Sequence, residues 1–291
     1  MLSEFLQFMM SGLTVGAVYA LVALGFTIIY NASGVVNFAQ GEFVMIGGMA
    51  TVFGVAAGLP LPLAGLIAIV GAVAVGLLLH RLAIEPARGA SPVVLIIITI
   101  GGAFVIRGLA QLVFDKQFHK LPGFSGEAPV SILGASVVPQ TFWVIGGAAI
   151  IVLLITVFFE RTAMGKAVLA TAANRLAAQL VGINVSVVMA LSFALSAAIG
   201  ALAGLLVTPI TLTSYDVGTM LALKGFAAVV LGGLGSPLGA VAGGLILGLC
   251  EAFAAGYLSS TYKDAVAFLA MIGVLLIMPN GLFGAPSAER V

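Results

Sequence analysis

PVVLIIITIGGAFVIRGLAQLVF, at residues 92–114, is an apolar stretch that contains one charged residue, Arg107. A helix needs about 20 apolar residues to cross the hydrocarbon core of a bilayer, so this stretch predicts a membrane-spanning helix. The whole chain has the same character, since 62% of its residues are hydrophobic and 7% are charged, against about 25% charged in a typical soluble domain. The apolar runs are continuous and do not alternate with a period of two. They predict an all-α polytopic transmembrane bundle rather than a β-barrel.

The apolar runs predict eight or nine crossings in one transmembrane domain that covers residues 1–291. The candidate spans are 5–30, 43–58, 61–80, 92–114, 141–159, 183–207, 219–234, 236–257 and 264–279. The runs at 43–58 and 219–234 are short and can be partial or broken helices. The 38 glycines are dispersed along the chain, which predicts close helix–helix packing. The polar connection at 115–140 is predicted to be a loop that includes a little local structure.

Lys and Arg residues in the connections predict the orientation, because they concentrate on the cytoplasmic side of membrane proteins. If the spans alternate, one side receives Arg81, Arg88, Arg161, Lys166, Arg175 and Arg290, and the other receives Lys116, Lys120 and Lys263. The first side is therefore predicted to be cytoplasmic, together with the C-terminus. No Lys or Arg precedes the first apolar stretch, so we expect a retained first span with its N-terminus outside, and nine crossings are preferred.

The residues that usually carry chemistry are sparse. His80 and His119 stand alone, Cys250 is the single cysteine and predicts no intrachain disulfide, and no G-x-x-x-x-G-K-[ST] phosphate loop occurs. A net charge of +1 offers no basic surface for nucleic acid. We therefore expect neither catalysis nor a cofactor or metal bound by this chain, and transport or a scaffold role becomes the leading class.

A polar interruption lies between the first two apolar runs, in YNASGVVNFAQGEFVMIGG at residues 30–48. One interpretation is a broken helix, made flexible by Gly34 and Gly41, whose polar groups line a substrate path. The other is an ordinary turn at the membrane surface, where Glu42 favours the first turn of the next helix. The candidate pathway residues here are Asn37, Gln40, Gly41 and Glu42.

A second polar stretch, 208–235, begins where Pro209 stops a helix, and its Thr, Ser, Tyr and Asp residues resemble an outer vestibule. Lys224 can snorkel to the outer surface or line the pathway, and it is retained as a pathway candidate. Arg107 and Glu251 have the same two interpretations, and neither is assigned a role in binding. Another stripe is assigned to helix packing rather than to a pore: Phe193, Ser196, Gly200 and Gly204.

The segment ERTAMGKAVLATAANRLAAQLVG, at residues 160–182, is too polar to cross a bilayer. Its spacing predicts one amphipathic helix that lies along a surface, with Thr162 as a cap at its start and Gly182 at its end. The polar face is predicted to hold Thr171, Asn174, Arg175 and Gln179, and the apolar face Leu169, Ala173, Leu176 and Leu180. Such a helix on the cytoplasmic side is expected to have a partner that docks against it.

Three stretches resemble the branched-chain amino acid ABC importer permeases, which belong to the binding-protein-dependent transport system inner-membrane component family. They are GAVYALVALGFTIIYNASGVVNFAQGEFVMIGG (16–48), ERTAMGKAVLATAANRLAAQLVGIN (160–184) and KGFAAVVLGGLGSPLGAVAGG (224–244). The similarity extends from about Leu6 to Gly284. The N-F-A-x-G-E run and the L-G-G-L-G-S-x-x-G-A run are together fairly specific for this family, and neither suffices alone.

The resemblance implies a multi-pass permease of the bacterial cytoplasmic membrane that contacts lipid and pairs with a homologous second permease. It also implies two cytoplasmic ATPases, which would carry the ATP and Mg, and an extracytoplasmic solute-binding protein. The segment 160–182 would then be the coupling helix that docks on an ATPase. The positions that match the family's coupling stretch are Gly165, Lys166, Ala170, Asn174, Ala177, Ala178 and Gly182. Arg175 is added to them as a further coupling candidate.

This chain departs from the family pattern at one point, because the coupling segment runs A-A-N-R-L where family members often carry an acidic residue. Hydrogen bonds from Asn174 and Arg175 are therefore expected there instead of a salt bridge. The implied mechanism is alternating access driven by closure of the ATPases around ATP. Three alternatives stay open: the same architecture importing urea, short amides or other amino acids, an ion-coupled secondary transporter, and a membrane scaffold.

Overall fold

The computed structural model describes residues 2–284 and shows a bundle of helices with one small β-hairpin. The helices are α1 (Leu2–Ser33), α2 (Gln40–Ala56), α3 (Leu61–Leu79), α4 (Pro92–Phe114), α5 (Gln140–Arg161), α6 (Ala163–Ala173), α7 (Arg175–Leu180), α8 (Val185–Val207), α9 (Val217–Gly232), α10 (Pro237–Tyr257) and α11 (Lys263–Ile277). A π-helical turn, His80–Ile84, continues α3. Strands β1 (Val130–Ile132) and β2 (Ala135–Val137) pair antiparallel within the predicted loop.

Within the described chain, six helices are long and apolar enough to span a membrane: α1, α3 with its π-helical turn, α4, α5, α8 and α10. The predicted helical membrane bundle is confirmed, but the predicted count of eight or nine spans, short or broken ones included, is not. The other three candidate spans fall on α2, α9 and α11, which have 17, 16 and 15 residues. At 1.5 Å per residue they reach about 22 to 26 Å, short of the hydrocarbon core of about 30 Å.

Helix α1 is the centre of the bundle, and most of its residues from Gly12 onward are buried. It packs against α10, α8, α9 and α5, while α2 lies between α3, α8 and α9. The predicted close packing through glycine is confirmed where α1 meets α10, because a Cβ atom on Gly244 would lie 2.4 Å from the Ala20 backbone nitrogen.

The stripe on α8 that was assigned to packing is buried against α2. A Cβ atom on Gly204 would lie 2.0 Å from the Val44 carbonyl oxygen, and one on Gly200 would lie 2.9 Å from Phe43 Cβ. Phe193 and Ser196 are also buried, at 2% and 0% exposure. The packing assignment is therefore confirmed.

The connections gather at two ends of the bundle. At one end, Asn31 Nδ2 donates to the Gly235 carbonyl oxygen at 3.1 Å, and residues 30–34 border a cavity shared with residues 171–175. At the opposite end, His119 and Thr213 form an antiparallel bridge. The coupling segment therefore shares its end with the start of α10, and the hairpin-bearing loop lies at the other end. Arg290 lies outside the described residues.

Candidate functional site

The polar interruption after α1 runs from the end of the bundle into its interior. Helix α1 ends at Ser33, Gly34 adopts a left-handed φ of +70°, and α2 begins at Gln40. Between the two helices, the Phe38 amide donates to Thr99 Oγ1 at 3.1 Å. Thr99 is seven residues into α4, about 10 Å along that helix at 1.5 Å per residue. Residues 35–40 therefore form a break between helices within the bundle, while residues 30–34 lie at its end, where Gly34 is exposed.

Gln40 holds three helices together at this break. Its side chain is fully buried, and Nε2 donates to the Ser196 carbonyl oxygen at 3.2 Å. Ser196 Oγ lies within hydrogen-bonding distance of Gln40 Oε1 and 2.9 Å from the Gly25 carbonyl oxygen. Asn37 Oδ1 accepts from the Ala39 amide at 3.2 Å, while the buried Asn37 Nδ2 has no hydrogen-bond partner within residues 2–284.

Gly41 allows the first turn of α2 to touch the first turn of α9. A Cβ atom on Gly41 would lie 1.9 Å from the Gly218 carbonyl oxygen, and a Cβ atom on Gly218 would lie 2.5 Å from the Gly41 carbonyl oxygen. The two positions therefore require glycine. The predicted pathway residue Gly41 has a packing role in this arrangement.

Glu42 forms an ion pair with Arg107, with Arg107 Nη2 2.6 Å from Glu42 Oε1. The Glu42 side chain is 2% exposed and that of Arg107 is 22% exposed. The Arg107 guanidinium also lies over the Phe104 ring, 5.5 Å from its centroid. Charged groups at membrane depth are costly unless they are paired, which explains why the two side chains meet.

Lys224 is buried and belongs to a second charged cluster, in which Asp264 and Lys263 are partly exposed. Its Nζ atom is 2.7 Å from both Glu251 Oε1 and Asp264 Oδ1. The Tyr19 hydroxyl donates to Glu251 Oε2 at 2.8 Å, and Lys263 Nζ lies 3.6 Å from Glu251 Oε1. Two positive and two negative charges thus balance, and the cluster joins α9, α10 and α11 to α1.

Residues 160–182 form two short helices instead of the single predicted helix. The backbone breaks at Asn174, which has an extended conformation and caps α7 by accepting the Ala177 amide at Oδ1. Both predicted ends are confirmed: Thr162 Oγ1 accepts the Gly165 amide at the start of α6, and Gly182 has a φ of +88°. The break arises because Asn174 satisfies a helix N-terminus with its side chain.

The predicted assignment of the two faces was also wrong in part. Thr171, expected on an outer polar face, is 3% exposed and donates to the Ala167 carbonyl oxygen. Large apolar side chains point away from the bundle instead: Leu169, Leu176, Leu180 and Val181, with 43%, 67%, 80% and 77% exposure. The inward positions are small because α6 and α7 lie close to the bundle.

The candidate coupling residues divide between the inner and outer sides of this segment. Gly165 faces inward, where a Cβ atom would lie 2.2 Å from the Phe158 carbonyl oxygen, and Ala178 is 3% exposed. The exposed ones are Lys166, Ala170, Asn174, Arg175, Ala177 and Gly182. Some candidate coupling residues therefore fix the segment on the bundle, and the others are accessible to a partner.

A cavity of about 490 Å³ lies beside α7, and its lining includes Glu85, Arg88, Arg175 and Gln179. Glu85 accepts a hydrogen bond from the Ser186 hydroxyl. This bond holds the pKa of Glu85 below its ordinary value, and the nearby charges of Arg88 and Arg81 lower the pKa further. The cavity thus has charged groups of both signs on its wall. In residues 2–284 no cluster of three or more His, Cys, Asp or Glu residues is arranged to hold a metal ion.

Sequence reasoning identified Arg107 and Glu251 as charges inside apolar runs but not their partners. Such isolated charges signal a buried pair, because an unpaired charge at that depth is expensive. The partner Glu42 lies 65 residues from Arg107, so only the fold reveals the pair. Thr99 had no sequence signal, since hydroxyl residues are common in membrane helices, and the hydrogen bonds of Ser196 go beyond the helix packing that the sequence assigned to it.

Long apolar helices, interrupted helices with buried polar groups and an exposed cytoplasmic-type segment are the features of a helical membrane protein of the kind that includes permeases. The family described as "Branched-chain amino acid transport system / permease component" matches residues 8–275, and the chain belongs to this family.

Relatives match the chain over nearly its whole length. It is 38% identical to the high-affinity branched-chain amino acid transport system permease protein LivH of Escherichia coli K12, over 99% of this chain and 98% of that protein. It is 34% identical, with the same coverage, to the permease protein BraD of Pseudomonas aeruginosa. The expected family is confirmed. The chain is a multi-pass permease of an ABC importer in the bacterial inner membrane, and a transport protein rather than an enzyme.

A solved structure, described as PsaBC from Streptococcus pneumoniae in complex with Fab, has the same fold. The TM-score is 0.52 at 16% sequence identity, with 96% of this chain and 97% of that chain covered. At this identity the likeness concerns the fold alone.

Proposed function

We propose that this chain is a permease subunit that imports branched-chain or other small amino acids by alternating access. The observation that carries the proposal is the match to permease proteins named for branched-chain amino acid transport, at 38% and 34% identity over 99% of the chain. The predicted partners are a homologous second permease, an extracytoplasmic solute-binding protein and two cytoplasmic ATPases, which bind the ATP and Mg.

The proposed topology has nine passes, of which α2, α9 and α11 are incomplete. In this topology the chain changes sides of the membrane at each of the three short helices, as it does at each of the six long ones. The N-terminus is then outside and the coupling segment inside. The positive-inside rule supports this orientation, because Arg88 and Arg175 line one cavity at the end of the bundle that carries the coupling segment.

The coupling segment is proposed to dock on an ATPase through its outward side. Leu176 and Leu180 are 67% and 80% exposed at an end of the bundle that the proposal places in the cytoplasm, beyond the reach of lipid chains. Exposed apolar patches of this kind mark interaction sites. Lys166, Asn174 and Arg175 would add polar contacts, although no acidic residue stands at the Asn174–Arg175 position to form a salt bridge there.

The proposed substrate path retains the five candidates Asn37, Gln40, Gly41, Glu42 and Lys224. In the present conformation these residues are buried, so the proposal requires that α2 and α9 move relative to each other during transport. A change of contact between packed helices is an established type of switching motion. Binding of ATP would drive this motion through the coupling segment.

Reconstitution tests the function directly. The chain, a second permease, two ATPases and a binding protein are assembled in proteoliposomes, and uptake of labelled leucine, isoleucine and valine is measured with and without ATP. We expect ATP-dependent uptake of all three. Uptake of urea or a short amide in place of these amino acids would contradict the proposed substrate class, and uptake that depends on an ion gradient without ATP would contradict the mechanism.

Docking has its own test, with a variant that combines Lys166→Ala, Asn174→Ala and Arg175→Ala. We expect uptake to be abolished and co-purification of the ATPases to be lost, while the permease stays folded in the membrane. A companion variant, Leu176→Asp, should have the same effect, and Leu133→Asp in the opposite hairpin, where Leu133 is 78% exposed, should have none. Undiminished co-purification in the first two variants would show that the docking assignment is wrong.

A further inference from the structure

We propose that Arg107, Glu42 and Asp216 form the site of this chain that binds the charged head of an amino acid during its passage. Arg107 would bind the carboxylate, and the two acidic side chains would bind the ammonium group. The inference rests on the proposed function, since it specifies substrate contacts for an amino acid permease. It adds Arg107 and Asp216, to which the sequence assigned no binding role.

The two acidic residues lie next to each other because two helices begin at the same place. Asp216 immediately precedes α9, and Glu42 lies in the first turn of α2. The helices touch at Gly41 and Gly218, where a Cβ atom on Gly218 would lie 3.1 Å from the Glu42 amide nitrogen. This contact of the two helix starts brings the carboxylates of Glu42 and Asp216 to the same region of the bundle. A cation placed between them would interact favourably with both.

The site lies well inside the span of α4. Arg107 is fifteen residues after Pro92 and seven before Phe114, or about 22 Å and 10 Å at 1.5 Å per residue. Helices that begin within a membrane supply binding sites at this depth in transport proteins. Here α9 begins next to the start of α2, so both helices start at the depth of this site.

The Glu42–Arg107 pair leaves binding capacity unused. The 2.6 Å contact uses Arg107 Nη2 and Glu42 Oε1. Glu42 Oε2 and Arg107 Nε are buried and have no hydrogen-bond partner in the described part of the chain. Buried polar atoms without partners are rare and call for an explanation. A carboxylate that accepts from the guanidinium and an ammonium group that donates to Glu42 would supply the missing bonds.

Part of this charged group reaches the surface of the single chain. Asp216 and Thr219 are exposed, and 22% of the Arg107 side chain is exposed. The exposed face of α3 differs, because Leu66 and Val70, which are typical of it, are 56% and 59% exposed and apolar. The α3 face suits lipid, whereas the strip of Arg107, Asp216 and Thr219 suits a wetted path that the second permease subunit completes.

A double variant, Glu42→Gln with Arg107→Gln, separates substrate binding from a structural ion pair. Removing both charges together leaves no unpaired buried charge, and such neutral replacements are generally tolerated by the fold. We expect the full complex to assemble and leucine uptake to fall about 10-fold or more, as the loss of charged hydrogen bonds would predict. Uptake within about twofold of wild type would overturn the proposal.

Cysteine labelling tests the wetted strip without relying on transport. Thr219→Cys is introduced into a Cys250→Ala background in the assembled complex and treated with a charged thiol reagent, with Leu66→Cys as the matched control. We expect Thr219→Cys to react at least about 10-fold faster than Leu66→Cys, because only ionised thiols react and hydrocarbon suppresses ionisation. Equal labelling rates would overturn the proposal. Leucine uptake by the wild-type complex tests the proposed function alone. Absence of that uptake would contradict the proposed function, whereas equal labelling rates would contradict only the proposed binding site.

Discussion

Gly248 of α10 lies directly against Gly16 of α1, so closely that a Cβ atom on Gly248 would be 2.3 Å from the Gly16 Cα atom. The backbones of the two helices therefore touch at the centre of the bundle. Contacts of this kind allow dispersion and weak backbone interactions to act over a long helix pair, in a membrane where the hydrophobic effect does not drive association.

Substituting this glycine should separate the two helices. We expect Gly248→Ala to lower the free energy of unfolding by about 2 kcal/mol, the typical cost of overpacking a close contact. The measurement is thermal unfolding of the purified chain in detergent. Gly101→Ala is the control, since a Cβ atom there meets nothing within 4 Å. If both variants unfold at the wild-type temperature, the helix contact is not as close as described.

Removing Lys224 should destabilise the charged cluster that links α9 to α10 and α11. In Lys224→Met, Glu251 keeps the hydrogen bond from the Tyr19 hydroxyl, but its nearest cation becomes Lys263, at 3.6 Å. We expect a loss of about 3 kcal/mol, because a buried carboxylate loses its nearest cation. Thermal unfolding again provides the measurement, and a double variant with Glu251→Leu should recover much of the loss.

The control for this prediction is an exposed ion pair. Lys120 and Glu127 are 2.8 Å apart in the outer loop, with side chains 52% and 64% exposed. Lys120→Met should therefore change stability by less than about 1 kcal/mol. A loss equal to that of Lys224→Met would mean that burial does not set the strength of these pairs.

The side-chain cap at Asn174 should keep α7 in its helical conformation. In Asn174→Ala the hydrogen bond from the Ala177 amide is lost, which costs about 1 kcal/mol. Because α7 has only six residues, we expect faster amide hydrogen exchange over Arg175–Leu180. Asn174→Asp keeps an acceptor oxygen and should exchange at the wild-type rate. Identical exchange in the two variants would contradict the capping role.

The hydrogen bond between Ser186 and Glu85 should make a pH-dependent contribution to stability. Because this bond lowers the pKa of Glu85 in the folded protein, its contribution is complete above the ordinary carboxyl pKa of about 4.3. It is lost as the pH falls through the lower value of the folded state. We expect Ser186→Ala to lower the unfolding temperature equally at pH 7 and pH 5.5, and the difference to shrink below about pH 4.

Thermal unfolding over a pH series measures this effect, with Ser91→Ala as a control on the same side of the bundle. Ser91 precedes α4 and makes no side-chain cap there, so that variant should show no such pH dependence. A stability difference for Ser186→Ala that grows toward acid pH would have the wrong sign for a lowered pKa.

The local features of the fold were accessible from the sequence. The predicted span 92–114 coincides with α4, and the ends at Thr162 and Gly182 are as expected. A membrane helix must satisfy its backbone internally over about 20 consecutive residues, so its presence is a local property of the chain. The polar break before Glu42 and the isolated charge of Arg107 were visible for the same reason.

Which of these features meet depends on the tertiary fold. Glu42 and Arg107 are 65 residues apart, and Lys224 and Glu251 are 27 apart, yet each pair is in contact. The side of the coupling segment that faces the bundle also depended on packing, because amphipathic spacing does not tell a protein surface from a membrane surface. Local sequence was enough to place the helices and to show which charges need partners. The three-dimensional packing determined the partners, since pairing energies depend on distance in space and not along the chain.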